Sequence, residues 1–127
     1  MPRELKKIET LFGALMAQPV LKFPLVGEKL EATVDQGVYV ILDRKNRPVH
    51  VGRTLRGKKG IVQRLHNHLR AQSSFTVQYL NGDGSKLRGV YRYRFLEVAD
   101  SRNRALLEAY AIGHLCPAHI GLGDGPT

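Results

Sequence analysis

The chain has 127 residues, 43% hydrophobic and 24% charged, a balance that supports one ordinary core and excludes wholesale disorder. Lys and Arg number 20 against 11 Asp and Glu, a formal charge of +9 that points toward an anionic partner. No apolar run approaches the ~20 residues of a membrane span, no signal-peptide core follows the N-terminus, and the single cysteine, Cys116, cannot build a disulfide framework, so a cytoplasmic protein without a membrane partner is expected.

In chain order, Leu5, Ile8, Leu11, Phe12, Leu15 and Met16 recur at helical spacing and predict an amphipathic helix over residues 3–17. Pro19, Pro24 and Gly27 make residues 18–36 a connector, with room for a short strand near 20–23. The β-branched and aromatic run Gly37-Val-Tyr-Val-Ile-Leu42 predicts a buried strand. Turn chemistry over 43–48 and alternation over 49–54 complete a hairpin. With 44–47 as its loop, Tyr39 falls opposite Gly52 and Ile41 opposite His50, all four facing one side of the sheet. Gly52 then leaves room for either a ligand or the Tyr39 ring to approach the backbone.

Residues 55–60 form a basic, glycine-bearing loop. Ile61, Leu65 and Leu69 predict a helix over 61–71, which sets Arg64 and His68 on a neighbouring stripe at i and i+4. Residues 73–89 are ambiguous: 75–80 are compatible with a strand, and Asn81-Gly-Asp-Gly-Ser85 is loop chemistry. Residues 89–98 have a strand pattern. Asp100 or Ser101 can cap a last helix that Cys116-Pro117 ends near residue 115. The division expected is an N-terminal helix and connector over 1–34, a functional domain over 35–121, and a flexible glycine-rich tail over 122–127.

The charge is unevenly spread. Between Arg44 and Gly82 stand Arg44, Lys45, Arg47, Arg53, Arg56, Lys58, Lys59, Arg64 and Arg70 with no acid, while the rest of the chain is balanced. This is the footprint of a polyanion site or a solvated basic face, and charge alone does not separate them. Glu108 is the only Asp, Glu, Lys or Arg between Ala105 and Gly123. A carboxylate on so apolar a helix either marks its solvent side or needs a compensating cation. His114-x-Cys116-x-x-His119 offers potential zinc ligands but lacks paired Cys-x-x-Cys spacing and a clear fourth ligand, so a helix-end histidine and a buried structural cysteine are preferred. His66-Asn67-His68 only spells the letters of the HNH nuclease motif, since three adjacent helical residues point in different directions.

Gly37-Val38-Tyr39, ten residues, and then His50-Val51-Gly52-Arg53-Thr54 resemble the paired motif of the GIY-YIG nuclease superfamily. The resemblance continues through Arg64 and His68 to Leu106-Leu107-Glu108 and covers about residues 35–121. It implies a small α/β sandwich, a central three-stranded antiparallel sheet flanked by helices, here preceded by the N-terminal amphipathic helix. It also implies a metal-dependent endonuclease hydrolysing phosphodiester bonds, with DNA the expected substrate. In its terms Glu108 holds Mg²⁺ or Mn²⁺, Arg64 stabilises charge on the phosphate, Tyr39 is the base or positions the water, and His68 assists by hydrogen bonding. Arg53, Arg56, Lys58, Lys59 and Arg70 of the basic block would contact nucleic acid. Two departures stand out: His50 replaces the usual Tyr of the second motif, and His119 lies near the usual Asn. An imidazole of ordinary pKa, ~6.5, could accept a proton at neutral pH, which makes His50 a second candidate base. The alternatives are a catalytically inactive nucleic-acid-binding module on the same scaffold, and an adaptor whose basic face meets an acidic protein.

Overall fold

The predicted hairpin lies at the heart of the sheet. In the computed structural model, which describes residues 3–55 and 59–121, β2 (Gly37–Leu42) pairs with β3 (Pro48–Arg53) in the expected register, Tyr39 opposite Gly52 and Ile41 opposite His50. The turn closes because the Asp43 carboxylate accepts the backbone N–H groups of Lys45 and Arg47, both at 2.9 Å, and Asn46 takes the left-handed conformation with φ 61°.

The sheet is antiparallel and has four strands rather than three, in the order β1-β4-β2-β3. The central three are those expected, with β4 at Arg92–Glu97. The addition is β1, Leu21–Lys22, where the connector returns along the outer edge of β4 and pairs Leu21 with Tyr93. It stops quickly because Pro24 has no N–H to continue the ladder.

Period-two alternation on β2 separates two cores. Tyr39 and Ile41 face a layer that includes Phe23, Ile61, Leu65, Phe75 and Tyr93. This layer is built from α2 (Gly60–Leu69), α3 (Ser74–Tyr79) and the connector, with Tyr93 of β4. Val38, Val40 and Leu42 face Ile8 and Leu15 of α1 (Arg3–Met16) and Leu107 and Ala111 of α4 (Ser101–Leu115). Helices therefore cover both faces. None of the described helices is long and apolar enough to cross a membrane.

Two features position the site. Residues 74–79 are helical rather than the strand that 75–80 would permit, because Ser73 caps this segment: its Oγ accepts the Thr76 N–H. After α4, which Asp100 caps and a left-handed Cys116 ends, the chain turns back along β3; at this helix end Cys116 is exposed rather than the buried cysteine expected. There His119 N–H donates to the Val49 carbonyl at 2.8 Å, which brings residue 119 beside His50.

Candidate active site

Tyr39 projects from β2 into the layer beneath α2 and α3, its ring over the backbone of Gly52, so the tyrosine rather than a ligand uses the space the glycine leaves. Helical spacing brings Arg64 and His68 to the same side of α2. The Tyr39 hydroxyl is 2.7 Å from His68 Nε2, and His68 Nδ1 is 2.6 Å from Ser73 Oγ. Burial pushes the Tyr39 phenol up to about 12, against the pull of the Arg64 guanidinium; the Glu108 charge adds to the rise.

His50 stacks on Phe75, with ring centroids 4.8 Å apart. Its Nδ1 is 3.1 Å from Nδ1 of His119, whose Nε2 is 2.8 Å from Gln78 Oε1. Burial, then the neighbouring His119 and Arg64, push His50 down to about 3, and burial also lowers His119. His68 is held well below the ordinary range by burial first, then by His50, Arg64 and His119. His50 and His68 are therefore neutral at pH 7, and His119 is shifted toward its neutral form. His50 is also a much weaker base than the ordinary imidazole expected from sequence, because Phe75 and His119 exclude the water that would solvate its cation.

Beside this buried group opens a cleft of about 340 Å³ lined by Arg53, Leu55, Arg64 and Glu108. Glu108 sits midway along α4 with its side chain 25% exposed, and Arg53 Nε lies 3.3 Å from its Oε1. The compensating cation at hand is therefore Arg53, at the end of β3. Burial raises the Glu108 pKa, opposed by Arg53 and Arg64. Arg64 Nε is buried without a hydrogen-bond partner, an unused donor on an arginine that lines the cleft. Arg104 of α4 holds the rim: its guanidinium donates to the carbonyls of Thr54, Leu55, Val98 and Ala99.

The structure thus brings together Tyr39, His50, Arg53, Arg64, His68, Glu108 and His119. The basic block, by contrast, is dispersed. Lys59 and Arg70 are exposed at opposite ends of α2, and Arg44, Lys45 and Arg47 occupy the hairpin turn. That turn lies at the other end of β3 from Arg53, ~16 Å away at ~3.3 Å per residue. Arg56 and Lys58 lie outside the described residues, as does the tail over 122–127. His114 stacks on Tyr110 and lies against Phe12, away from His119. Among the described residues no group of three or more His, Cys, Asp or Glu side chains could hold a metal ion. Ser73, Thr76, Gln78 and Arg104 were not singled out from sequence. The only signal for any of them was Ser73 as an N-cap type before the ambiguous segment.

One carboxylate in an open cleft suits a hard, largely hydrated divalent cation, for which water completes the shell, and does not suit a site built wholly from protein ligands. Glu108 is therefore compatible with Mg²⁺ or Mn²⁺.

No protein-family model matches the chain, and no curated protein matches it by sequence. Among solved structures it is similar to the GIY-YIG N-terminal endonuclease domain of UvrC from Thermotoga maritima bound to its catalytic divalent cation, magnesium. That likeness has a TM-score of 0.53 and 19% identity, and it covers 95% of this chain and 100% of that one. A point mutant of the same domain with an asparagine replaced by alanine gives a TM-score of 0.52 at 19% identity, covering 95% and 99%. At such identity the likeness establishes architecture: the chain has the GIY-YIG fold, α/β with an antiparallel sheet between helices and an added N-terminal helix.

Proposed function

We propose that the chain is a metal-dependent endonuclease that hydrolyses phosphodiester bonds in DNA, acting in the cytoplasm. The observation that carries this reading is the cleft in which Arg64, with an unused buried donor, faces Glu108. Arg64 supplies a fixed fork of donors where negative charge develops on the phosphate. Glu108 would hold Mg²⁺ or Mn²⁺. When bound, such an ion supplies Lewis-acid stabilisation of the reacting phosphate. Arg53, released from Glu108, is free to contact a phosphate oxygen.

Hydrolysis forms a bond from water oxygen to phosphorus and breaks a phosphorus–oxygen ester bond, so the water must lose a proton. Tyr39 is our choice to receive or orient that proton, because its hydroxyl already has His68 Nε2 as partner at 2.7 Å. His50, pushed down to about 3, is the weaker candidate and is held in place by His119. Arg53, Lys59 and Arg70, with Arg56 and Lys58 of the intervening loop, would contact the DNA backbone.

One observation favours a second reading. Arg53 already engages Glu108, as it would in a module that binds nucleic acid without a metal. Plasmid, branched and single-stranded substrates incubated with Mg²⁺ or Mn²⁺ decide between the two. The nuclease reading expects metal-dependent cleavage that Glu108→Gln abolishes while binding survives. Binding without cleavage of any substrate under either metal establishes the binding module instead.

A further inference from the structure

The hydrogen bonds behind Tyr39 can be given a direction. Thr76 Oγ1 lies 2.7 Å from the His68 carbonyl oxygen, which can only accept, so the Thr76 hydroxyl proton is spent there. Ser73 Oγ is 3.1 Å from Thr76 Oγ1 and must be the donor in that contact. The Ser73 oxygen is left only to accept, and it does so from the Thr76 backbone N–H at 3.2 Å. The remaining contact, 2.6 Å from His68 Nδ1, then requires the proton on Nδ1. A neutral His68 so protonated has a bare Nε2, which accepts from the Tyr39 hydroxyl.

We propose that Ser73 and Thr76 are positioning residues. Their two hydroxyls lock His68 in the Nδ1–H form, the minor tautomer of a free imidazole, so that Tyr39 donates its own proton inward and turns its oxygen, as an acceptor, toward Arg64, which lines the cleft. The chain runs one way, from Tyr39 through His68, Ser73 and Thr76 to the His68 carbonyl. The catalytic meaning rests on the nuclease reading; the tautomer does not.

Thr76→Val tests this with little change of shape. Without the threonine hydroxyl the Ser73 proton has no acceptor beyond it and turns toward His68 Nδ1. The His68 carbonyl still accepts the Ala71 N–H at 3.3 Å, so no buried acceptor is stranded. Nitrogen-15 NMR of the full chain, with the His68 signals assigned by their loss in His68→Gln, reads the tautomer directly. The expected result is Nδ1–H in the parent, Nε2–H in Thr76→Val, and Nδ1–H again in Thr76→Ser. In the cleavage assay Thr76→Val should lower kcat roughly 10- to 100-fold with KM little changed, a part of the ~10²–10⁴ that positioned acid–base groups contribute. Thr76→Ser should restore it. An Nε2–H parent, or a tautomer indifferent to Thr76→Val, overturns the inference whether or not the protein cuts. The expected tautomers in a chain that cuts nothing support the lock and overturn the nuclease reading.

Discussion

Tyr39 occupies the space that a side chain on Gly52 would need: a Cβ there would overlap Cζ and Oη of the tyrosine, well inside van der Waals contact. The two residues face each other across the β2–β3 ladder. The glycine therefore sets where the phenol lies, and through it the contact with His68.

Gly52→Ala should force Tyr39 out of its place. The ring is fully buried and has nowhere to relax, so overpacking should cost about 1–3 kcal/mol, measured by urea unfolding. Combining it with Tyr39→Leu should recover part of that loss, because neighbours in contact are not additive. Full additivity would show that the overlap is relieved elsewhere.

Glu108→Gln should leave the fold nearly intact. Both members of the Arg53 pair are a quarter or more exposed on a side-chain basis, and such pairs contribute about 0–1 kcal/mol. Cleavage should nevertheless fall by orders of magnitude, since metal stabilisation of the reacting phosphate is worth several kcal/mol. Equal loss of stability and activity would make the carboxylate structural.

Stability should fall on acidification. His50 ordinarily titrates near 6.5 and is pushed down to about 3 in the folded chain; His68 shifts in the same direction. Between these values the unfolded chain binds protons that the folded chain does not, so their contribution is complete above ~6.5 and is lost as pH falls toward 3. Each fully protonating group gives a slope of up to ~1.4 kcal/mol per pH unit. Chemical denaturation at pH 7, 5.5 and 4 should show this loss, and His50→Gln should flatten it. An unchanged slope in that variant would mean His50 is hydrated in solution.

Arg104→Met should destabilise by more than about 3 kcal/mol, because four backbone carbonyls lose a charged donor and water reaches them poorly. Arg104→Lys should not rescue it, since a single ammonium cannot span the same fork. Calorimetry of the two variants provides the measurement.

Neutralising Arg56, Lys58 and Lys59 together should flatten the salt dependence of DNA binding by ~0.9 per lost phosphate contact. Neutralising Arg44 and Lys45, at the far turn of the hairpin, should change it little. Equal effects from the two sets would mean that the DNA covers the whole length of β3.

Much of the scaffold was legible before any coordinates. The run at residues 37–42, its turn and the alternation after it determine the hairpin register, because one-residue slips would bury the wrong faces. Helical periodicity and the Asp100 cap delimit α1, α2 and α4. The resemblance to the GIY-YIG motifs likewise singled out Tyr39, His50, Arg64, His68 and Glu108, which the fold gathers. Tertiary structure decided the rest. It brings Arg53 at the end of a strand against Glu108 on a helix 55 positions later, a pairing no local pattern encodes. It also added β1 to the sheet and buried His50 against Phe75 and His119. Periodicity and capping are properties of neighbouring residues and so can be read along the chain. Desolvation, ion pairing and hydrogen-bond direction depend on atoms that only folding makes neighbours.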